Sequence, residues 1–208
     1  MVNLNKIELT KKGQSINLTK GAQSLGEIHI NLNWNQQSTT QKKGFFSSLL
    51  GGGSSNVDLD LGCLFEFTNG QKGCVQALGN AFGSFDQPPY VVLDGDDRTG
   101  AVTTGENLRI NGAKIADIQR VLVYAFIYEG AANWSEADGV VTLKYPGGAD
   151  IEVKLSEHRN GKIMCAIAMI ENVNNETFRV ERLVEYFDGH KPMDRAYNWG
   201  MQWTAGSK

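Results

Sequence analysis

Scarcity sets the first bounds on this chain. Among 208 residues there are 3 cysteines, 4 prolines and a net charge of only −3, and no apolar run approaches the ~18 residues that a membrane helix needs. Cys63, Cys74 and Cys165 are odd in number, widely spaced and free of any CxxC pair, which argues against a disulfide framework and a zinc knuckle and fits a reducing compartment. The opening Met-Val-Asn-Leu-Asn-Lys has no apolar leader core, so a cytoplasmic protein without direct membrane insertion is expected. The mildly acidic balance, with no Lys/Arg cluster interleaved with aromatics, speaks against nucleic acid as a partner.

Common catalytic devices are missing as well. There is no GxSxG elbow, no GxxxxGK[ST] loop and no HExxH helix, and His29, His158 and His190 stand apart, which reads as three surface histidines. Cys63 falls on the apolar side of a strand pattern and Cys165 within an apolar run; thiols so placed are structural and inert.

What is present is mostly strand. Segments bounded by Gly and Asn predict strands at about 4–9, 15–18, 26–34, 57–67, 71–78, 108–112, 119–129, 138–145, 150–155, 161–171 and 176–187. Ile28, Ile30, Leu32 and Trp34 alternate with Glu27, His29, Asn31 and Asn33, the period of a half-buried strand with His29 turned outward. Residues 121–128 are apolar on both faces and 162–170 nearly so, as central strands covered from both sides would be. The expected fold is an all-β, two-sheet sandwich over residues 1–208 with a short C-terminal helix. That helix is predicted over Pro192–Trp203, with Met193, Tyr197 and Met201 on one face, in a tail from about 189. Residues 37–56, polar at first and then Gly/Ser-rich, predict a mobile loop. Phe45, Phe46, Leu49 and Leu50 within it are either an adhesive patch or side chains folded back onto the body. Trp134, Trp199 and Trp203 are candidates for packing or for a partner surface.

The chemistry lies in the carboxylates. In Val57–Phe67 the odd positions are apolar, so Asp58 and Asp60 share the opposite face, about 7 Å apart at their Cα atoms and within reach of one ion. Grouped carboxylate oxygens are the usual ligands of hard divalent cations; two solvated aspartates are the alternative. A second group, Asp94, Asp96 and Asp97, stands in a Gly-punctuated stretch followed by Glu106, able to aim carboxylates and carbonyls inward as calcium requires. It is no EF-hand: counting from Asp94, position six is Thr99 and position twelve Gly105. Glu129, at a strand end, adds a further carboxylate. The rival readings are a metal-dependent phosphoryl or nucleotidyl transferase using Asp58 and Asp60, and a partner-binding scaffold without metal.

The stretches KGQSINL, GEIHINLNWN, VDLDLGC, GDDRTG and VYAFIYEG, in this order, resemble the TerD-like domain of the tellurium-resistance stress proteins, and the tail MDRAYNWGMQWTAGSK resembles the TerA branch of that family. The resemblance implies a non-enzymatic β-sandwich that binds Ca2+ and serves a bacterial response to tellurite and other chemical stress. It also implies other tellurium-resistance proteins as partners, with a membrane-associated complex among the possible settings. By position, Asp58 and Asp60 match the family's Asp-Leu-Asp, Asp96 its loop Asp and Glu129 its strand-end Glu, while Asp97 replaces an Asn. The family's acidic run is here Ala101-Val102-Thr103-Thr104-Gly105-Glu106, which implies one calcium site and leaves the second in doubt.

Overall fold

The computed structural model describes residues 6–18, 25–34, 58–94, 105–129, 134–155 and 161–204. The predicted loop at 37–56, with Phe45, Phe46, Leu49 and Leu50, lies outside them, as do Asp96, Asp97 and His158.

Thirteen strands are described: β1 (Lys6–Glu8), β2 (Ser15–Asn17), β3 (Glu27–Asn33), β4 (Asp58–Phe67), β5 (Lys72–Gln76), β6 (Gly83–Ser84), β7 (Val91–Leu93), β8 (Glu106–Asn111), β9 (Ile118–Glu129), β10 (Val140–Lys144), β11 (Asp150–Lys154), β12 (Met164–Val173) and β13 (Thr177–Phe187). They form a seven-stranded sheet in the order β1-β11-β10-β3-β8-β7-β6 and a six-stranded sheet in the order β2-β13-β12-β9-β4-β5. All pairings are antiparallel except β1 with β11. The two-sheet sandwich expected from the alternation is therefore what forms. β6, β7 and the four-residue helix α1 (Trp134–Ala137) were not foreseen, because elements of two to four residues are too short to display a period.

Period-two alternation builds the core directly. Ile28, Ile30 and Leu32 of β3, Leu59, Leu61 and Cys63 of β4 and Leu108 and Ile110 of β8 all enter the cluster between the sheets. β9 and β12 are apolar on both sides because a second cluster covers the outer face of the six-stranded sheet. Leu64, Leu122, Tyr124, Phe126, Met164 and Leu183 lie there beneath Met193 and Trp199 of the C-terminal segment.

That segment differs from expectation. The helix, α2, spans His190–Ala196 rather than 192–203. Asn198 takes a left-handed φ of 53°, its N–H donates to the Arg195 carbonyl, and the Trp199 N–H donates to the Asp194 carbonyl, the pattern of a Schellman stop. The chain then runs on as a strap. Trp134 and Trp199 are enclosed rather than available as a surface. His190 is likewise no surface residue. Its ring packs on Tyr124, Phe126 and Trp203, its Nε2 meets Gln76 Oε1 at 2.9 Å, and burial lowers its pKa to about 4. Cys63 and Cys165 are buried as expected and Cys74 is half-buried; burial raises the Cys63 and Cys74 thiols, which keeps both protonated and unreactive.

Candidate metal centre

β4 enters the sheet at Asp58, whose backbone pairs with Glu129 at the end of β9, across a bulge between Asp58 and Leu59. With Leu59 and Leu61 inward, Asp60 stands on the outer side of the strand, yet it is only 1% exposed. It lies opposite Phe126 and two residues before Gly62, where a Cβ would come within 2.8 Å of the Tyr124 ring. Glycine at 62 lets that ring lie flat against the strand. Burial holds the Tyr124 hydroxyl well above its ordinary range.

Glu106 arrives from the other sheet. It opens β8 in the inward register of Leu108 and Ile110 and is 6% exposed. Gly105 before it has a φ of +73° and presses so close to the Leu32 carbonyl that no Cβ would fit, so glycine sets the approach. Glu106 Oε2 accepts the Leu61 N–H at 2.5 Å. That amide lies just beyond the end of β5, whose pairing with β4 begins at Gly62 with Gln76. A carboxylate of one sheet thus caps the strand edge of the other, one peptide from Asp60. The signal for this was available: Glu106 has the parity of Leu108 and Ile110, so it had to point inward.

Asp94 is engaged elsewhere. It follows β7, and its carboxylate takes a fork from Arg109, Nη2 to Oδ1 at 2.7 Å and Nε to Oδ1 and Oδ2 at 2.9 and 3.0 Å; Glu27 lies 3.6 Å from the same guanidinium. Arg109 is the partner that sequence reading missed; it lies opposite Val92 in the β7–β8 pairing, two residues past Asn107, whose carbonyl accepts the Asp94 N–H. The connection carrying Asp96 and Asp97 leaves from Asp94 and returns at Gly105, next to Glu106. Among the described residues no group of three His, Cys, Asp or Glu side chains is close enough to hold a metal ion. On donor chemistry the acidic end fits a hard cation: its side chains offer oxygen only, from Asp58, Asp60 and Glu106.

The described chain is thus a two-sheet β-sandwich with carboxylates from both sheets drawn to one end. Residues 6–145 match the TerD domain, and the chain belongs to the TerD domain family. It is 49% identical over 210 residues to the tellurium resistance protein TerA of an Alcaligenes species, covering 100% of this chain and 60% of that protein. It is 34% identical over 116 residues to the stress response protein SCP2 of Bacillus subtilis (strain 168), covering 54% of this chain and 49% of that one. The chain therefore spans about 60% of the length of the TerA relative. In fold it is similar to the crystal structure of SAV2460, a protein of unknown function, with a TM-score of 0.59 at 10% identity over 86% of this chain and 99% of that one. A homologue of telluride resistance protein TerD, SCO6318 from Streptomyces coelicolor A3(2), aligns with a TM-score of 0.54 at 15% identity over 82% of this chain and 95% of that one. Among the described residues no helix is long and apolar enough to cross a membrane.

Proposed function

We propose that this chain is a calcium-binding, non-enzymatic module of a bacterial tellurite and chemical stress response, acting in the cytoplasm with other tellurium-resistance proteins. One observation carries the proposal: Glu106 of one sheet reaches the β4 edge of the other beside Asp60, and both carboxylates are more than nine-tenths buried. A cation bound at this end would offset the cost of burying carboxylates that approach one stretch of β4 from two sheets. Calcium takes six to eight oxygens at flexible geometry. Asp58, Asp60 and Glu106 supply the fixed part of that set, and Asp96, Asp97 and Glu129 are its remaining candidates. Asp94, the other candidate, is bonded to Arg109, which would have to yield for it to join the ion.

Support for the stress-response setting comes from family membership and from the tellurium-resistance and stress-response relatives. Thermal unfolding of metal-stripped protein tests the cation: calcium is expected to raise the melting temperature of the wild type, with reversal by chelator and no rise in Asp60→Asn. An equal rise in the variant, or none in the wild type, refutes the proposal.

A further inference from the structure

The inward side of β13 reads Phe178, Val180, Arg182, Val184 and Tyr186, and its four uncharged members pack in or against the core between the sheets. Arg182 is the exception. It is 8% exposed, its Nε is enclosed with no hydrogen-bond acceptor, and no described carboxylate pairs with it. The carboxylates of its own strand alternate to the outer face, where Glu185 is bonded to Lys12 and Tyr197.

The backbone holds this position firmly. The Arg182 N–H donates to the Gln14 carbonyl, and its own carbonyl accepts the Gly13 N–H, both at 2.9 Å. Its β12 neighbour is the small Ala168. Residues 9–14 cross this edge of the sandwich from β1 in one sheet to β2 in the other, bringing Lys11 and Lys12 to the same edge; Gln14 Oε1 fixes the crossing by accepting the Thr10 and Lys11 amides.

A guanidinium cannot shed its proton at any ordinary pH, so burial cannot neutralise it as it would a lysine. A buried charge without a counter-charge is destabilising unless an anion joins it. The geometry points to an anion site at this edge of the sandwich, with Arg182 as its base and a small oxyanion, of the size of phosphate, sulfate or a carboxylate, as its ligand. The planar fork of donors suits such a group, taken through two parallel N–H bonds. The site is separate from the acidic end and stands whether or not calcium binds there.

Thermal unfolding of the full chain tests it, in chelator and sodium fluoride, with sodium phosphate, sulfate or acetate added at matched ionic strength. At least one of the three is expected to raise the wild-type melting temperature by about 3–6 °C at roughly ten times its Kd, with the three arms separating inorganic from carboxylate ligands. Arg182→Met, apolar and of similar length, is expected to lose that rise while melting at or above the wild type in fluoride alone. Arg182→Lys, charged but without the fork, is expected to respond more weakly than the wild type. No rise in the wild type, the same rise in Arg182→Met, or an Arg182→Met that fails to fold or melts well below the wild type in fluoride would overturn the site.

Discussion

Asp194, beneath the C-terminal strap, is 4% exposed, and its two oxygens accept the Gly200 and Met201 amides and the Trp203 Nε1–H, each at 2.8 Å. Asp60 and Glu106, at the acidic end, are buried to a similar depth but come to one strand edge from two sheets, Glu106 by accepting the Leu61 N–H. The difference is between a carboxylate held by its own segment and a pair to which the proposed function gives a cation. Asp194 is surrounded by donors from its own segment and holds the turn after α2 closed; its charge is answered on the spot. Asp60 and Glu106 reach the β4 edge from different sheets, where the proposed cation would join them.

The strap is where breaking this contrast has the largest effect. Trp199 is 1% exposed, donates to the Phe65 carbonyl and lies 3.9 Å beneath the Arg120 guanidinium. Trp199→Ala is expected to cost about 4 kcal/mol in denaturant unfolding, with calcium affinity unchanged if strap and acidic end are independent.

Acid attacks the same region. His190 is buried neutral with a pKa of about 4, below the ordinary value of about 6.5. The unfolded chain therefore takes up this proton first as pH falls. The contribution is full above pH 6.5 and is lost progressively as pH drops to 4, by up to about 3 kcal/mol. Unfolding free energies measured across that range should fall in the wild type and flatten in His190→Phe.

Asp194→Asn is expected to cost about 2 kcal/mol, since one amide cannot accept what two carboxylate oxygens accept, and its tryptophan emission should shift to the red.

The two regions were unequally legible in the sequence. The sandwich showed in the alternation of residues 27–33 and 58–65, because a strand half-buried in a sheet has to alternate. The double-sided apolarity of 121–128 told of an outer cover without identifying it, since pattern reports burial and not the partner. The strap stayed hidden: Asn198 and Gly200 end a helix whose spacing Met193, Tyr197 and Met201 continue, and Asp194 looks like any surface aspartate until the turn closes on it. At the acidic end, Asp58 and Asp60 were visible as a pair on one strand, whereas the bond from the Leu61 N–H to Glu106 spans 45 residues and two sheets, beyond any local pattern. The Asp94 ion pair was hidden for the same reason. Arg109 lies 15 residues on, across the β7–β8 pairing.

Calorimetric titration of metal-stripped protein with calcium, run on the wild type, Glu106→Gln and Asp194→Asn, tests the contrast most directly. Glu106→Gln is expected to weaken binding at least tenfold, about 1.4 kcal/mol, while Asp194→Asn binds as the wild type does. Wild-type affinity in Glu106→Gln, or no calcium binding by the wild type, would contradict the assignment of the acidic end as a cation site.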